Sequence, residues 1–489
     1  MTRDELFKRS PEPWKPDVYQ KKAVKFLLEH AAAALFLEPG LGKTTIALAA
    51  LKVLRAKQLV DRALIVAPLR VCVSVWPKEI AKWSDFADTR IVVLHGKDKE
   101  ELLKTDADVY VINPEGLEWL LGVEKERTPT GKTRVQVNAQ RWKELDFDTL
   151  IVDELSKFKY TSTQRFKALK HVLGSFRRRW GMTGSPSANS LIDLFGQMYV
   201  LDEGRSLGRF VTHYRKTYFD PSWDGFSWDL KPGAEPLIHK RIKPLTLAMK
   251  ATDYIDLPLV VNDDIRIDLP PQARKAYDEL ERDLILELDE GIVVASNAAG
   301  ASLKCRQVAS GGVYVDDAAK KTAGRTTSHL HMAKVEALAD LVDELQGAQV
   351  LVAYEFQHDL ERIRMKLGKD VPHIGGGVTA KRSAELVDAW NAGELRILCG
   401  HPLAIGHGLN LQGEAHHIVW HSPTWNYELY EQFNYRIRRR GSKAKRVFIH
   451  HIVARDTVDE DVMAALRSKR KGQEALFDAM KTRLMKRRK

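Results

Sequence analysis

Two short stretches hold residues whose types and spacing can do chemistry. In LFLEPGLGKTTIALA, residues 35–49, Gly42, Lys43 and Thr44 complete the phosphate-gripping pattern G-x-x-x-x-G-K-[ST], with Leu37 where its first glycine would stand. Gly40 and Gly42 give the backbone room to curl around a phosphate, and the N–H groups of the helix start then face the anion. Lys43 can reach the β- and γ-phosphates, the hydroxyl of Thr44 can ligate Mg2+, and Thr45 follows within the same contact. In TLIVDELSK, residues 149–157, Asp153 and Glu154 leave an apolar run 110 residues after Lys43. There Asp153 can hold the Mg2+ shell, and Glu154 can orient or deprotonate an attacking water. An acid pair after a strand is weak alone; behind a phosphate loop in the same α/β pattern it points to nucleoside triphosphate hydrolysis.

Elements that could position these groups are visible around them. AAAALFL precedes the glycine turn and TTIALAALKVLRA follows it with helical spacing. ALIVAPL, VYVIN and DTLIVDE are further short apolar runs separated by helical patterns such as VSVWPKEIAKW, as in a buried parallel sheet. Residues 122–140 are polar and predict an exposed hairpin or loop. From about residue 201 to 259 the alternation breaks into an insertion and linker with Trp223, Phe226 and Trp228. These aromatics could stack on bases, but a small satellite core is favoured. Alternation returns with AQVLVAY, ELRILCG, HHIVWHS and RVFIHHIV. The fold class is therefore α/β: two parallel-sheet lobes in tandem with a helical or irregular insertion, ATP lying between them. The expected divisions are 1–200, 201–262, 263–465 and a basic tail, 466–489.

Composition narrows the function classes. The chain has 489 residues, 44% of them apolar, and a net charge of +12. No apolar run approaches the roughly 20 residues that span a bilayer. The start MTRDELFKRS has no apolar export signal. Three cysteines far apart, Cys72, Cys305 and Cys399, suit a reducing cytoplasm rather than a disulfide framework. Residues 467–489 carry ten basic residues against two acids, a surface for nucleic acid or for an acidic protein partner. Seven histidines, His401, His407, His416, His417, His421, His450 and His451, crowd the second half. Strand neighbours point to opposite faces, so core and cleft roles are favoured over a metal site.

With these residues in place, the chain resembles a superfamily-two nucleic-acid motor of the Swi/Snf-type branch, over roughly residues 15–461. That branch carries a pattern like D-E-x-G-L-G-K-T, to which LEPGLGKT is similar, with Leu37 in place of the usual Asp. The resemblance implies an adenine contact at Gln20 in KPDVYQKKAVKFL. It implies nucleic-acid contacts at Pro68 and Arg70 in APLRV, at Asn113 in VINPEGL, and at Gly408 and Asn410 in LAIGHGLNLQ. Thr183 and Ser185 of GMTGSP would couple hydrolysis to movement. EQFNYRIRRRGS is similar to the pattern Q-x-x-x-R-x-x-R-x-G, matched by Gln432, Arg436, Arg439 and Gly441. If helical, Arg436 and Arg439 lie one turn apart and can both neutralise charge on the γ-phosphate. Ser156 stands where many relatives have His, and Tyr435 where many have an acid. The implied fold is two RecA-like lobes, and the implied activity is an ATP hydrolase, with ATP and Mg2+ as cofactors, moving along DNA. Duplex DNA is favoured, single strands or RNA are the alternatives, and no membrane is involved. A switch or scaffold that binds nucleic acid without travelling is the competing class. The compact engine suits a bacterial or bacteriophage protein.

Overall fold

The computed structural model describes residues 11–127, 133–184, 186, 190–221, 228–289, 295–315, 326–406, 409–411, 413–439, 442 and 444–467. They fall into two compact units, the first closing at Ile255 and the second continuing from Asp256. Among the described residues no helix is long and apolar enough to cross a membrane.

The first unit is built on a seven-stranded sheet. Its strands are β1 (Ala32–Leu37), β2 (Ala63–Val66), β3 (Ile91–Val93), β4 (Val109–Ile112), β7 (Thr149–Asp153), β8 (Arg178–Thr183) and β11 (Thr246–Met249). The order is β11-β1-β8-β7-β2-β4-β3, and every pairing is parallel. β2, β4 and β7 are buried along their whole length, which is why they read as unbroken apolar runs: helices cover both faces of a parallel sheet. Because all strands run one way, the turns after β1, β2, β4, β7 and β8 emerge along one edge. In open parallel sheets that carboxyl edge is where ligands bind.

The polar segment 122–140 does form a hairpin, β5 (Glu124–Arg127) with β6 (Thr133–Gln136). Residues 201–255 differ from the expected insertion. β11 adds a parallel strand to β1, pairing Ala34 with Thr246 through Leu37 with Met249. Trp228, in the small hairpin of β9 (Phe219–Pro221) and β10 (Trp228–Leu230), packs against the first unit's core with Arg215 over its ring. Trp223 and Phe226 lie outside the described residues.

The second unit carries a six-stranded parallel sheet ordered β12-β19-β18-β15-β17-β16. Its strands are β12 (Leu259–Ile267), β15 (Val350–Ala353), β16 (His373–Ile374), β17 (Ile397–Gly400), β18 (His417–Trp420) and β19 (Arg446–Ala454). Between β12 and β15 comes a two-stranded pair, β13 (Gly312–Val315) with β14 (Thr326–His329). The helix ending at Ser310, the helix Gln357–Leu367 after β15 and the turn after β18 are fastened by a buried polar knot. Asp359 accepts from Ser310 Oγ (2.6 Å), Ser422 Oγ (2.8 Å) and Arg362 Nη2 (2.8 Å). Burial alone would raise its carboxyl; His358, His421 and Arg362 instead hold it far below the ordinary range. The histidines serve this packing too. His417 Nδ1 lies 3.1 Å from His450 Nε2, and His450 and His451 reach Asp263 and Asp264 on the edge strand β12. The basic tail lies outside the described residues from 468 onward.

Candidate functional site

The loop after β1 answers the question of the missing glycine. Gly40 (φ 92°) and Gly42 (φ 79°) are both left-handed, the region where a Cβ is strained. Leu37 is not among the positive-φ residues, and its side chain is fully buried in the core. Only its carbonyl faces the loop, where it accepts from Lys43 Nζ at 2.8 Å. The position needs a backbone oxygen and an apolar anchor, so leucine serves. Lys43 opens the helix Lys43–Ala56 directly from the left-handed Gly42, so its first N–H groups point back into the loop.

Gln20 closes one side of this loop. Its Nε2 donates to Leu41 O (3.4 Å) and its Oε1 accepts from Asp17 N (3.0 Å). A Cβ built on Gly42 would stand 2.6 Å from Gln20 Nε2, the far end of a side chain that can turn aside, so it is the left-handed φ that calls for glycine. Glu38 ties the loop's start to residues just before the first unit ends, through Met249 O (3.3 Å, from its N–H) and Ala251 N (2.8 Å, to Oε2). Thr44 is half-buried in the helix's first turn, whereas Thr45 is buried and donates Oγ1 to Glu79 Oε2 at 3.0 Å. Of the two threonines, then, Thr45 faces the packing of its own lobe.

The acid pair sits at the end of β7, two strands from β1. The register of β1, β8 and β7 sets Phe36 beside Thr183 and Asp153 beside Met182. Asp153 is buried, and its Oδ2 accepts from Trp76 Nε1 at 3.0 Å. Burial pushes its carboxyl up to about 6, while the nearby Lys43 charge pulls it down. Glu154 has φ 72°, a strained conformation for a residue with a Cβ, fixed by its N–H on Met182 O (2.9 Å). One carboxylate oxygen, Oε1, accepts from both Thr183 Oγ1 (2.7 Å) and Ser156 Oγ (2.9 Å). Ser156, the departure from the D-E-x-H pattern, is thus a hydroxyl clamp on the acid beside it. Ser185 lies outside the described residues.

The remaining first-lobe candidates follow β2 and β4 on the same edge. Pro68 O accepts from Cys72 N (3.0 Å), and Arg70 is half-buried, its guanidinium pushed down by that burial. Asn113 donates Nδ2 to Glu115 Oε2 at 2.8 Å, and Glu115 also meets Arg165.

In the second unit the helix Tyr427–Asn434 stops before the arginines, so they are not one helical turn apart. Arg436 N bonds Phe433 O and Ile437 N bonds Asn434 O, a run of tight turns. Arg436 is buried, and its guanidinium donates to Gln432 O (2.8 Å), Leu409 O (2.9 Å) and Gly406 O (3.1 Å). Arg439, half-buried, reaches Leu409 O at 3.4 Å. Gln432 donates Nε2 to Glu428 Oε1 (3.1 Å), and a Cβ on Gly406 would meet Gln432 Oε1 at 2.9 Å. The segment of the G-x-G-L-N-L element and the arginine segment are thus one assembly. Asn410 O is held by Asn391 Nδ2 (2.8 Å); Gly408 lies outside the described residues. Trp76, Glu79 and Glu38 were not legible as site residues: each acts through a contact distant in sequence, and no local spacing announces it.

Comparison with known proteins gives the family. The model of the SNF2-related domain matches residues 19–309, and that of the helicase conserved C-terminal domain matches residues 333–441. Protein p41 of Acyrthosiphon pisum secondary endosymbiont phage 1 is 34% identical over 95% of this chain and 98% of its own length. An uncharacterized ATP-dependent helicase of Mycoplasma pneumoniae is 26% identical over 91% of this chain, which spans only 40% of that protein. The solved Sulfolobus solfataricus SWI2/SNF2 ATPase core in complex with dsDNA overlays with a TM-score of 0.44 and 19% identity, covering 97% of this chain and 96% of that one. With the phosphate loop, the acid pair and the arginine assembly each set in its lobe, the chain belongs to the SNF2-related family, the Swi/Snf-type branch of the superfamily-two helicases and translocases.

Proposed function

We propose that this protein is a nucleic-acid-stimulated ATPase that moves along DNA, duplex DNA being its track. The observation that carries the reading is Glu154, strained in its backbone and clamped by two hydroxyls beside the buried Asp153. A surface acid needs no such fixing; a group that must orient one water does. The residues fit Mg-ATP. Left-handed Gly40 and Gly42 open the loop, Lys43 and Thr44 lie at the helix start, and Asp153 and Glu154 end β7. Bound Mg2+ would neutralise phosphate charge there, with Thr44 and Asp153 holding its shell. Gln20 would read the adenine edge. Arg439 is the group we assign to the phosphates from the second lobe. Arg436, with three carbonyls on its guanidinium, holds the loop that presents it. Pro68, Arg70, Asn113, Gly408 and Asn410 would meet the phosphate backbone, independent of sequence. Thr183 would couple the acid to movement, together with Ser185.

The names of the relatives, ATP-dependent helicase and chromatin-remodeling factor, support the ATPase class. The test is ATP hydrolysis measured without nucleic acid and with single strands, duplex and RNA. Duplex should stimulate most, and stimulation should grow with duplex length until one run is exhausted. Lys43→Ala should abolish turnover. A rate that ignores DNA length would leave a switch rather than a motor, and turnover surviving in Lys43→Ala would remove the site.

A further inference from the structure

The turn at residues 68–70 leads without a break into a helix that touches the nucleotide site twice. Val71–Val75 first make a widened, π-type turn, a form that concentrates at functional positions. The helix Trp76–Lys82 follows. Trp76 is fully buried and donates its indole N–H to Asp153 Oδ2 at 3.0 Å. One turn later Glu79 Oε2 accepts Thr45 Oγ1 (3.0 Å) from the phosphate-loop helix, and it is steadied by Trp83 Nε1 (2.9 Å). Residues 76 and 79 share one face of the helix Trp76–Lys82, with Trp83 in extended backbone at its end, so a single element grips both the acid strand and the phosphate-loop helix. An indole N–H has one proton and one direction. A shift of this helix by a few tenths of an ångström stretches both bonds at once.

We infer that Trp76 and Glu79 are positioning residues that pass the state of the turn at residues 68–70 to the nucleotide site. Trp76 sets the orientation of Asp153 toward Mg2+, and Glu79 sets the roll of the helix that carries Lys43 and Thr44. When phosphate backbone engages Arg70, the widened turn at residues 71–75 is the place where the movement is taken up. The inference rests on the proposed ATPase reading, and it names how nucleic acid would be felt at that site.

The test uses the full chain with Trp76→Phe, which keeps a buried ring and deletes the N–H, and Glu79→Gln, which keeps an acceptor and deletes the charge. The first readout is Mg2+-dependent ATP binding by calorimetry, independent of turnover. Outer-shell partners of metal ligands typically shift metal affinity about 10- to 100-fold. Trp76→Phe should raise the Mg2+ concentration for half-maximal ATP binding about tenfold. The second readout is the ratio of DNA-stimulated to unstimulated hydrolysis, which should drop in Trp76→Phe by about fivefold or more, the size of losing one such hydrogen bond, and by less in Glu79→Gln, which keeps its bond to Thr45 without the charge. A purely structural role would lower the melting temperature and leave the Mg2+ dependence where it was; that result overturns the inference. So does a Trp76→Phe protein that matches wild type in both readouts. If Trp76→Phe does not fold, Thr45→Val deletes the other bond, and an unchanged stimulation ratio in that variant counts equally against the idea. A wild-type chain that binds Mg-ATP but ignores DNA would instead sink the motor reading, and the calorimetry would still judge Trp76.

Discussion

Replacing Thr183 by valine tests whether Glu154 works as a fixed base. Thr183 is fully buried and donates Oγ1 to Glu154 Oε1 at 2.7 Å. Valine fills nearly the same volume and deletes only the hydroxyl, so the core around β8 is kept. Ser156 Oγ, 2.9 Å from the same oxygen, remains in place. Hydrogen bonds to charged groups contribute about 1.5–3 kcal/mol. If that stabilisation is realised in the transition state, each 1.36 kcal/mol is tenfold in rate, and turnover falls about 10- to 150-fold. The assay is steady-state hydrolysis at saturating ATP, Mg2+ and duplex DNA, with KM followed separately. Thr183→Ser should return most of the rate, because it restores the hydroxyl while opening a methyl-sized gap that costs about 1 kcal/mol of stability. Combining Thr183→Val with Ser156→Ala should cost more or less than the sum of the single changes, since both bonds end on one oxygen. A Thr183→Val enzyme within twofold of wild type, or a Thr183→Ser enzyme as slow as the valine variant, refutes the clamp.

The two arginines should separate by assay: Arg436→Gln strips donors from three carbonyls and should lower the second unit's unfolding free energy by about 3 kcal/mol, whereas Arg439→Gln should cost about 1 kcal/mol or less yet slow turnover by about 10³. Denaturant melts and ATPase rates check both, and the opposite assignment would exchange the two results. Gly42→Ala puts a Cβ at φ 79° and 2.6 Å from Gln20 Nε2, so ATP binding measured by calorimetry should weaken at least tenfold; unchanged affinity would remove Gln20 and the loop shape from recognition. For pH, burial holds His417 and His331 down at about 4, with the charges of His416 and His450 adding at His417 and those of Arg362 and Lys334 at His331. The unfolded chain then takes up their protons first. Stability from these groups is complete above about pH 6.5 and is lost as pH falls toward 4. His417→Gln should flatten that part of the melting-temperature curve, and parallel wild-type and variant curves would exclude the histidine.

The sequence is most legible where chemistry and backbone geometry coincide locally. The phosphate loop, its strand and its helix occupy one continuous stretch, so glycine placement and apolar periodicity point to them together. The acid pair is legible because β7 is buried on both faces and Asp153 is the first charge after its apolar run. Legibility fails where position depends on a distant partner. β11 is four residues, Thr-Leu-Ala-Met, and becomes a strand because β1 offers it an edge, so a sheet strand lies within the stretch whose broken alternation reads as insertion and linker. The arginine segment reads as helix from its spacing, yet Arg436 turns inward to satisfy carbonyls of Gly406 and Leu409, about 30 residues away in the chain.

Two departures from the family pattern are tolerated because other atoms of the chain meet the same local demand. At position 37 the loop uses a carbonyl, which any residue with an ordinary φ supplies, and the leucine side chain anchors β1 in the core. At position 156 the neighbouring Glu154 needs a donor about 3 Å from its oxygen; a serine hydroxyl meets that demand within a 3-10 turn, Leu155–Phe158, where it is buried and close. A neutral hydroxyl also keeps its one proton across the working pH range, whereas an imidazole there would gain charge near pH 6.5. The clamp on Glu154 should therefore hold unchanged from pH 6 to 8. Asp153, raised to about 6 by burial, gives both proteins a step at the lower end of that interval; the hydrolysis rate of Ser156→His should acquire a second step near pH 6.5, and a variant profile that matches the wild type would show that the group at position 156 does not act on the acid.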